Sequence, residues 1–491
     1  MAGRGVVAAG HPATAAAGAA MLREGGNAVD AAVAAVLTSF VAEPLLTGLG
    51  AGGYMLVAPP NGPPILLDFF VEAPGRGADV ASRVPLLPVL LSFGDATQLF
   101  HVGPSSCGTY GVPAGLVAAV EQFGRAPLAE LTAPAVALAR RGVRVNAMQA
   151  YLFALLAGIV GSTPECAARY FLDGRPPGEG DLLRDPELAD ALDRLGSEGS
   201  APFYTGDIGR AASGWVRDRG GMLTGDDLAA YAVVRREPLR VAYRGREVFM
   251  NPPPSAGGAL LGRALATLDA RPGPPDALAF LAAMAAADDA RGLAVPDPAH
   301  PGVAAMRRAD RLGSTTHVSV LDADGWACSV TTSNGACSGV SVPGTGIHLN
   351  NMLGEEDLSP RGPFTHAVGN RLPSMTAPTV VRRDGIAELV VGSAGSNRIR
   401  SALLQVIAHV VDGRMSPQRA VDAPRLHLER GAVHAEPGID VAALRATGRP
   451  VSVFGAPNLF FGGCQAVGRD PRSGAVSGGA DGRRGGAVAL A

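Results

Sequence analysis

Lysine is absent from this chain: all 42 basic residues are arginine. That excludes a P-loop lysine, a Schiff-base or pyridoxal-phosphate lysine and a kinase β3 lysine. Cysteine is scarce as well. Cys107, Cys166, Cys328, Cys337 and Cys464 are scattered, odd in number and free of any CxxC pair. Such spacing offers neither a disulfide framework nor a zinc site and reads as buried bystander thiols. The nine histidines are dispersed without an HExxH, so no metal is expected. An excess of one charge is also missing, with 42 basic against 44 acidic residues and a net charge of −2. A nucleic-acid partner is therefore not expected. No apolar run approaches the roughly 18 residues of a membrane span, and the longest candidate, 151–160, reads as a core helix. Nothing before Gly5 resembles a charged region followed by an apolar one, which gives the expectation of a cytoplasmic chain without a membrane partner.

What is present is a long, apolar chain. Its 491 residues are 47% hydrophobic and 18% charged, enough for a large core and, by length alone, room for about three domains. The first 60 residues are the most legible. Residues 12–24 are Ala-rich and helical, and Gly25-Gly26 stops them. Asn27 reads as an N-cap with Asp30 in capping-box position, starting a helix over 28–42 that Glu43-Pro44 must end. The following Gly48-Leu49-Gly50-Ala51-Gly52-Gly53 matches G-x-G-x-x-G. A dinucleotide fingerprint needs a strand before the loop and a helix after it, and here the order is reversed. The glycines read instead as a tight loop that another backbone approaches closely.

Helices are expected over 181–195 and 259–268, and the Pro-, Asp- and Ala-rich stretch 271–314 reads as irregular and exposed. At Thr315 the texture changes. Residues 316–322 alternate like a strand, Asp324-Gly325 signals a hairpin, and 327–333 form the return strand. Further strands are expected at 379–382, 388–391, 460–461 and 465–468, with a helix over about 396–412.

With lysine, metal and nucleotide chemistry set aside, hydroxyl and thiol nucleophiles and carboxylates remain. There is no G-x-S-x-G elbow, and the proximity of Cys328 and Cys337 to His317 in sequence does not make a Cys–His pair. The run Gly313-Ser314-Thr315-Thr316-His317 says more: a small-residue turn leads straight into two threonines at a strand head. If the chain were cut before Thr315, that residue would own an α-amine next to its hydroxyl. Such an amine titrates near pH 8 and can act as general base for its own side chain. The bland reading is that Thr-Thr simply suits a strand start.

The sequence resembles the γ-glutamyltransferase (γ-glutamyltranspeptidase) family of N-terminal nucleophile hydrolases nearly end to end. The resemblance rests on Gly5-Val6-Val7-Ala8 and His11-Pro12, on Gly25-Gly26-Asn27-Ala28-Val29-Asp30-Ala31-Ala32, and on Glu43-Pro44 with Gly48-Leu49-Gly50. Further on it rests on Phe203-Tyr204-Thr205-Gly206, Pro253-Pro254-Ser255-Ala256-Gly257-Gly258, and Gly344-Thr345-Gly346 with Asn350-Asn351. Ala423-Pro424-Arg425-Leu426-His427 and Ala480-Asp481 with Arg483-Arg484 complete it. The resemblance implies an α/β (α+β layered) fold, a four-layer αββα sandwich, and a precursor that cuts itself between Ser314 and Thr315. A large subunit 1–314 and a small subunit 315–491 would stay together in one domain. Thr315 would be the nucleophile and Ser333, eighteen residues on, the hydroxyl that orients it. Gly395 and Ser396 would supply the oxyanion hole, provided the backbone there suits a serine where the family has glycine. Asn334, Ser374 and an acid among Glu355, Glu356 and Asp357 would contact substrate.

The departures fall on glutamate recognition. Phe70 stands where the family has the arginine for the substrate α-carboxylate, Arg76 is nearby but displaced, and Pro373-Ser374-Met375 replaces Ser-Ser-Met. The function so implied is cleavage of a γ-glutamyl or similar acyl amide, with transfer to water or an amine and without a cofactor. Two alternatives stay open: a relative specialised for a non-glutamyl acyl group, and a non-catalytic, unprocessed homologue.

Overall fold

The computed structural model describes residues 4–92, 97–293, 314–359 and 362–491. The first strand, Gly5–Ala9, is buried throughout. Its alternation feeds two cores: Val7 and Ala9 join one apolar cluster, Val6 and Ala8 another. The strand Gly52–Ala58 divides in the same way, with Met55 and Val57 on one side and Tyr54, Leu56 and Ala58 on the other. Strands covered on both faces read as continuous apolar runs rather than as an amphipathic pattern.

These strands belong to an antiparallel sheet of seven. Its order is Ala487–Leu490, Gly5–Ala9, Ser314–Asp322, Ala327–Gly335, Gly52–Ala58, Ile65–Phe69 and Val234–Arg236. A second antiparallel sheet of six runs Val476–Ala480, Gly463–Arg469, Ile386–Ala394, Thr379–Arg383, Arg246–Met250 and Leu239–Tyr243. Helices Pro12–Arg23 and Ala28–Ala42 pack on the first sheet, and helices Ala256–Asp269 and Arg398–Val411 on the second. Between the sheets lies a third core that includes Tyr54, Leu56, Val380, Val390 and Val467. Both sheets contain strands from before and after residue 314. Among the described residues no helix is long and apolar enough to cross a membrane.

Helix Ala28–Ala42 is buried along its whole length. The Asn27 side chain accepts from the N–H groups of Val29 and Asp30, while the Asp30 carboxylate accepts from the Asn27 N–H at 2.8 Å. Small residues let this helix lie close to its neighbours: a Cβ at Gly18 would come within 2.8 Å of the Ala31 carbonyl oxygen. The glycine loop ahead of Gly52–Ala58 is also a close approach. A Cβ at Gly50 would meet the His348 carbonyl oxygen at 2.4 Å.

Three expectations need correction. Residues 277–293 form a helix, Ala277–Leu293, where an irregular stretch was expected; Asp276 accepts the Ala279 N–H at 2.7 Å and starts it. Residues 294–313, Gly313 of the expected turn included, lie outside the described residues. The Leu459–Phe461 segment is a 3-10 turn and not a strand, because Asn458 accepts the Phe460 N–H and Gly462 turns the chain with φ +85. The helix expected from 181 begins at Pro186, since Leu182-Leu183 pair with Val143-Arg144 and Asp185 provides the cap.

The hairpin Ser314–Asp322 and Ala327–Gly335 is held to helix Ala28–Ala42 at both helix ends. At the start, Asp322 accepts the Ala28 N–H at 2.9 Å. At the end, the Glu43 carboxyl accepts from Thr316 at 2.6 Å and from Thr14 at 2.9 Å. Burial pushes the Glu43 carboxyl up to about 7 from an ordinary 4.5, against the opposing effect of the two hydroxyl donors. A raised folded-state value means that the native protein binds the extra proton between pH 4.5 and 7. The contribution of Glu43 to stability is therefore full below that window and is lost as pH rises through it. Relative to Glu43→Gln, the wild type should lose on the order of 3 kcal/mol across the window. Urea unfolding of both proteins as uncut chains, each carrying Thr315→Ala, below and above it checks this, because the buried histidines contribute equally to each.

Candidate functional site

Strand Ser314–Asp322 presents its residues alternately to the helices and to the second sheet. Val318 and Val320 enter the helix-side core, and Thr316 reaches Glu43 from the same side. Thr315 lies opposite Ser333 in the ladder, and the register shifts between Ser314 and Thr315. The Thr315 hydroxyl donates to Ser333 Oγ at 3.1 Å, and Ser333 Oγ also accepts the Gly335 N–H at 3.1 Å. Both side chains are buried.

His317 does not serve these hydroxyls. Its Nδ1 is 2.7 Å from Thr331 Oγ1 and its Nε2 is 2.9 Å from Ser319 Oγ. Burial lowers its pKa to about 3, so the ring is neutral. The ring lies so tightly on Gly392 that a Cβ there would come within 2.1 Å of it. The five cysteines are all buried, and burial pushes Cys107 and Cys166 up to about 12. Thiols held in that state make poor nucleophiles.

Thr315 and Ser333 open into a pocket. Of the site candidates named from the sequence, Thr315, Ser333, Glu355, Asp357, Ser374 and Ser396 line it. Gly395 precedes Ser396 in a turn after strand Ile386–Ala394, with φ +120 at the glycine and +50 at the serine. The serine thus adopts the left-handed backbone that glycine would provide.

Two residues fall elsewhere. Asn334 is fully buried outside the wall and donates its side-chain N–H to the His348 carbonyl at 3.4 Å. Glu356 points toward His101, 3.9 Å away, and Glu355 takes the position in the wall. Glu355 leaves the short 3-10 turn Met352–Gly354 in an extended conformation, and it and Asp357, two residues on, line the pocket while Glu356 between them does not.

Phe70 does line the pocket, stacked on Tyr54 with ring centroids 5.3 Å apart. Met352, Leu358, Met375 and Ile399 extend the apolar surface, and Thr376 adds a hydroxyl 2.8 Å from that of Ser374. None of the described lining residues is an arginine. Arg76 faces away, 3.4 Å from Asp227 and 3.6 Å from Glu72. Arg371 lies behind Phe70, donating to the Phe70 carbonyl and, at 2.6 Å, to the Tyr231 hydroxyl. Met352, Leu358, Ile399 and Thr376 were not singled out from the sequence. The Ser374-x-Thr376 alternation, which puts two hydroxyls on one side of an extended chain, was the signal available.

The arrangement couples a buried hydroxyl pair to a pocket that is part apolar and part acidic, beside a turn with left-handed backbone. Chemically it can present a threonine oxygen to an acyl carbonyl.

Known proteins match this architecture over nearly its full length. The family model described as gamma-glutamyltranspeptidase matches residues 14–309 and 284–491. The acylase ACY 1 proenzyme of Pseudomonas sp. (strain SE83) is 32% identical over 95% of this chain and 90% of its own. The glutathione hydrolase proenzyme of Escherichia coli (strain K12) is 31% identical over 86% of this chain and 81% of its own. Among solved structures, the cephalosporin acylase from Bacillus halodurans superposes with a TM-score of 0.86 at 27% identity, covering 99% of this chain and 96% of that one. With a family model spanning both halves and relatives named as hydrolase and acylase proenzymes, this chain belongs to the gamma-glutamyltranspeptidase family of enzymes.

Proposed function

We propose that the protein is a self-processing acyl-transfer enzyme with an N-terminal threonine nucleophile, built as a four-layer αββα sandwich of the N-terminal nucleophile hydrolase type. The chain cuts itself between Ser314 and Thr315 into subunits of residues 1–314 and 315–491. The observation that carries the reading is the Thr315 hydroxyl, bonded to Ser333 in the wall of the pocket.

After the cut, the free α-amine of Thr315 takes the hydroxyl proton as Oγ1 attacks the carbonyl carbon of a γ-glutamyl or related acyl amide. Ser333 holds the hydroxyl in line. The backbone N–H groups of Gly395 and Ser396 receive the negative charge that develops on the carbonyl oxygen, each such donor being worth about 3–4 kcal/mol in general. The leaving amine departs with a proton from the α-ammonium, leaving an ester on Thr315. Water or an acceptor amine then attacks the ester, again giving its proton to the α-amine, and the threonine is restored. Ser374, Thr376 and Glu355 of the wall contact the acyl group, and no cofactor enters any step.

A second reading, an acylase for a non-glutamyl group, is favoured by one observation. Phe70 offers an aromatic face where an arginine would hold the α-carboxylate, and no other arginine of the described residues lines the pocket. A guanidinium–carboxylate contact is bidentate and charge-assisted, and a ring cannot replace it. The relatives named as acylases fit this reading.

Self-cleavage is checked by intact mass: purified protein should resolve into fragments of 314 and 177 residues that sum to the 491-residue chain. Thr315→Ala should remain one uncut chain without turnover, and a matured alanine variant would move the nucleophile elsewhere. Ser333→Ala should fold and yet turn over a chromogenic acyl anilide about 10²-fold more slowly. For substrate choice, Phe70→Arg should raise kcat/KM for γ-glutamyl-p-nitroanilide about tenfold or more, the scale of one charge-assisted bond. Turnover of the uncharged phenylacetyl-p-nitroanilide should fall in the same variant, and an unchanged ratio between the two would remove Phe70 from specificity.

A further inference from the structure

Ser396 is a non-glycine residue at φ +50 in a turn whose glycine neighbour is at φ +120. A left-handed backbone at a residue with a Cβ costs energy and persists only where the surroundings hold it. What holds it here is Asp357. The Ser396 hydroxyl donates to Asp357 Oδ2, and the side-chain amide of the next residue, Asn397, donates to Asp357 Oδ1 at 3.1 Å. One carboxylate thus grips two successive residues of the turn, one on each oxygen. Asn397 is anchored further by Glu429 Oε1, also at 3.1 Å, and its side chain is buried. Asp357 comes from a different segment, just after the Met352–Gly354 turn, and lines the same pocket as Thr315 and Ser396.

We infer that Asp357 is a positioning residue for the oxyanion hole: it latches Ser396 and Asn397 so that the Gly395 and Ser396 N–H groups point into the pocket. This rests on the acyl-transfer reading above and assigns Asp357 a role other than binding a substrate amine. The physical reason is compensation. Where a glycine would take the left-handed backbone without strain, a serine takes it because its own hydroxyl and its neighbour's amide are tied to one acceptor. The carboxylate suits the task because it accepts on both oxygens, and charge-assisted bonds of this type are the stronger ones.

The test compares wild type, Asp357→Ala, Ser396→Gly and the double variant on two probes. They are γ-glutamyl-p-nitroanilide and glutaryl-p-nitroanilide, which lacks the α-amine. Losing one oxyanion donor generally costs about 10²–10³-fold in kcat, so partial misplacement of the turn should cost roughly tenfold or more. The expected result is that Asp357→Ala lowers kcat for both probes alike with little change in KM, and that the loss shrinks to about threefold or less in the Ser396→Gly background. A loss confined to the γ-glutamyl probe and expressed in KM would make Asp357 an amine ligand and overturn the latch. Equal losses in both backgrounds would overturn it too.

Hydrogen exchange of the peptide covering 392–400 reads the latch without any substrate. Exchange should accelerate in Asp357→Ala, and unchanged exchange overturns the proposal whatever the turnover. Accelerated exchange in a protein whose wild type neither matures nor cleaves an anilide would instead defeat the acyl-transfer reading and leave the latch standing.

Discussion

The site depends on one splint, the contact between helix Ala28–Ala42 and strand Ser314–Asp322. Fifteen helical residues at about 1.5 Å each span about 22 Å. From Thr316 to Asp322 an extended strand covers roughly 20 Å. The two lengths match, and a buried carboxyl closes each end: Asp322 on the first helical N–H and Glu43 on Thr316. Thr315 is the next residue along, so its position on the strand is set from outside the pocket. The return strand is fixed as well, by Thr47 against Thr332 at 2.7 Å and by the Leu46 carbonyl, which accepts the Asn334 N–H. A side chain mounted on an interior strand of a sheet has little freedom to wander, and such positioning is what the proposed catalysis by proximity would require of Thr315.

The local signals in the sequence were reliable where chemistry acts over a few residues. The Asn27–Asp30 capping box, the stop at Glu43-Pro44 and the Asp324-Gly325 hairpin all translate directly into bonds that close within a turn. The same locality explains the misses. The Pro- and Gly-rich stretch before Asp276 hid the cap of helix Ala277–Leu293, whose apolar face is buried mainly against helix Ala256–Asp269 and strand Leu426–Glu429. The roles of Glu43 and Asp322 were invisible, since each bond joins residues more than 250 positions apart in the chain.

The pocket was half legible for a related reason. Thr315 and Ser333 sit on paired strands whose register the sheet fixes, and Ser396 follows strand Ile386–Ala394 by two residues, so their spacing survives folding. The run Glu355-Glu356-Asp357 leaves a 3-10 turn through an extended residue and enters a second turn, so its side chains follow no single period. Which acid faces inward could not be read from spacing there. Asn334 has the chemistry of a ligand, and burial against His348 removes it from the wall.

The two sheets are woven from both sides of residue 314, since strands Gly5–Ala9 and Gly52–Ala58 flank the hairpin in one and Arg246–Met250 abuts Thr379–Arg383 in the other. A backbone break after that residue leaves every strand paired, so the nicked molecule is held by the same ladder as the intact one. Its unfolding is another matter. Once melted, the two pieces share no covalent tether, and regaining the native state becomes a second-order encounter between chains that each lack part of both large sheets. The nicked protein's working lifetime would then be governed by its rate of unfolding and not by an equilibrium with the denatured chains.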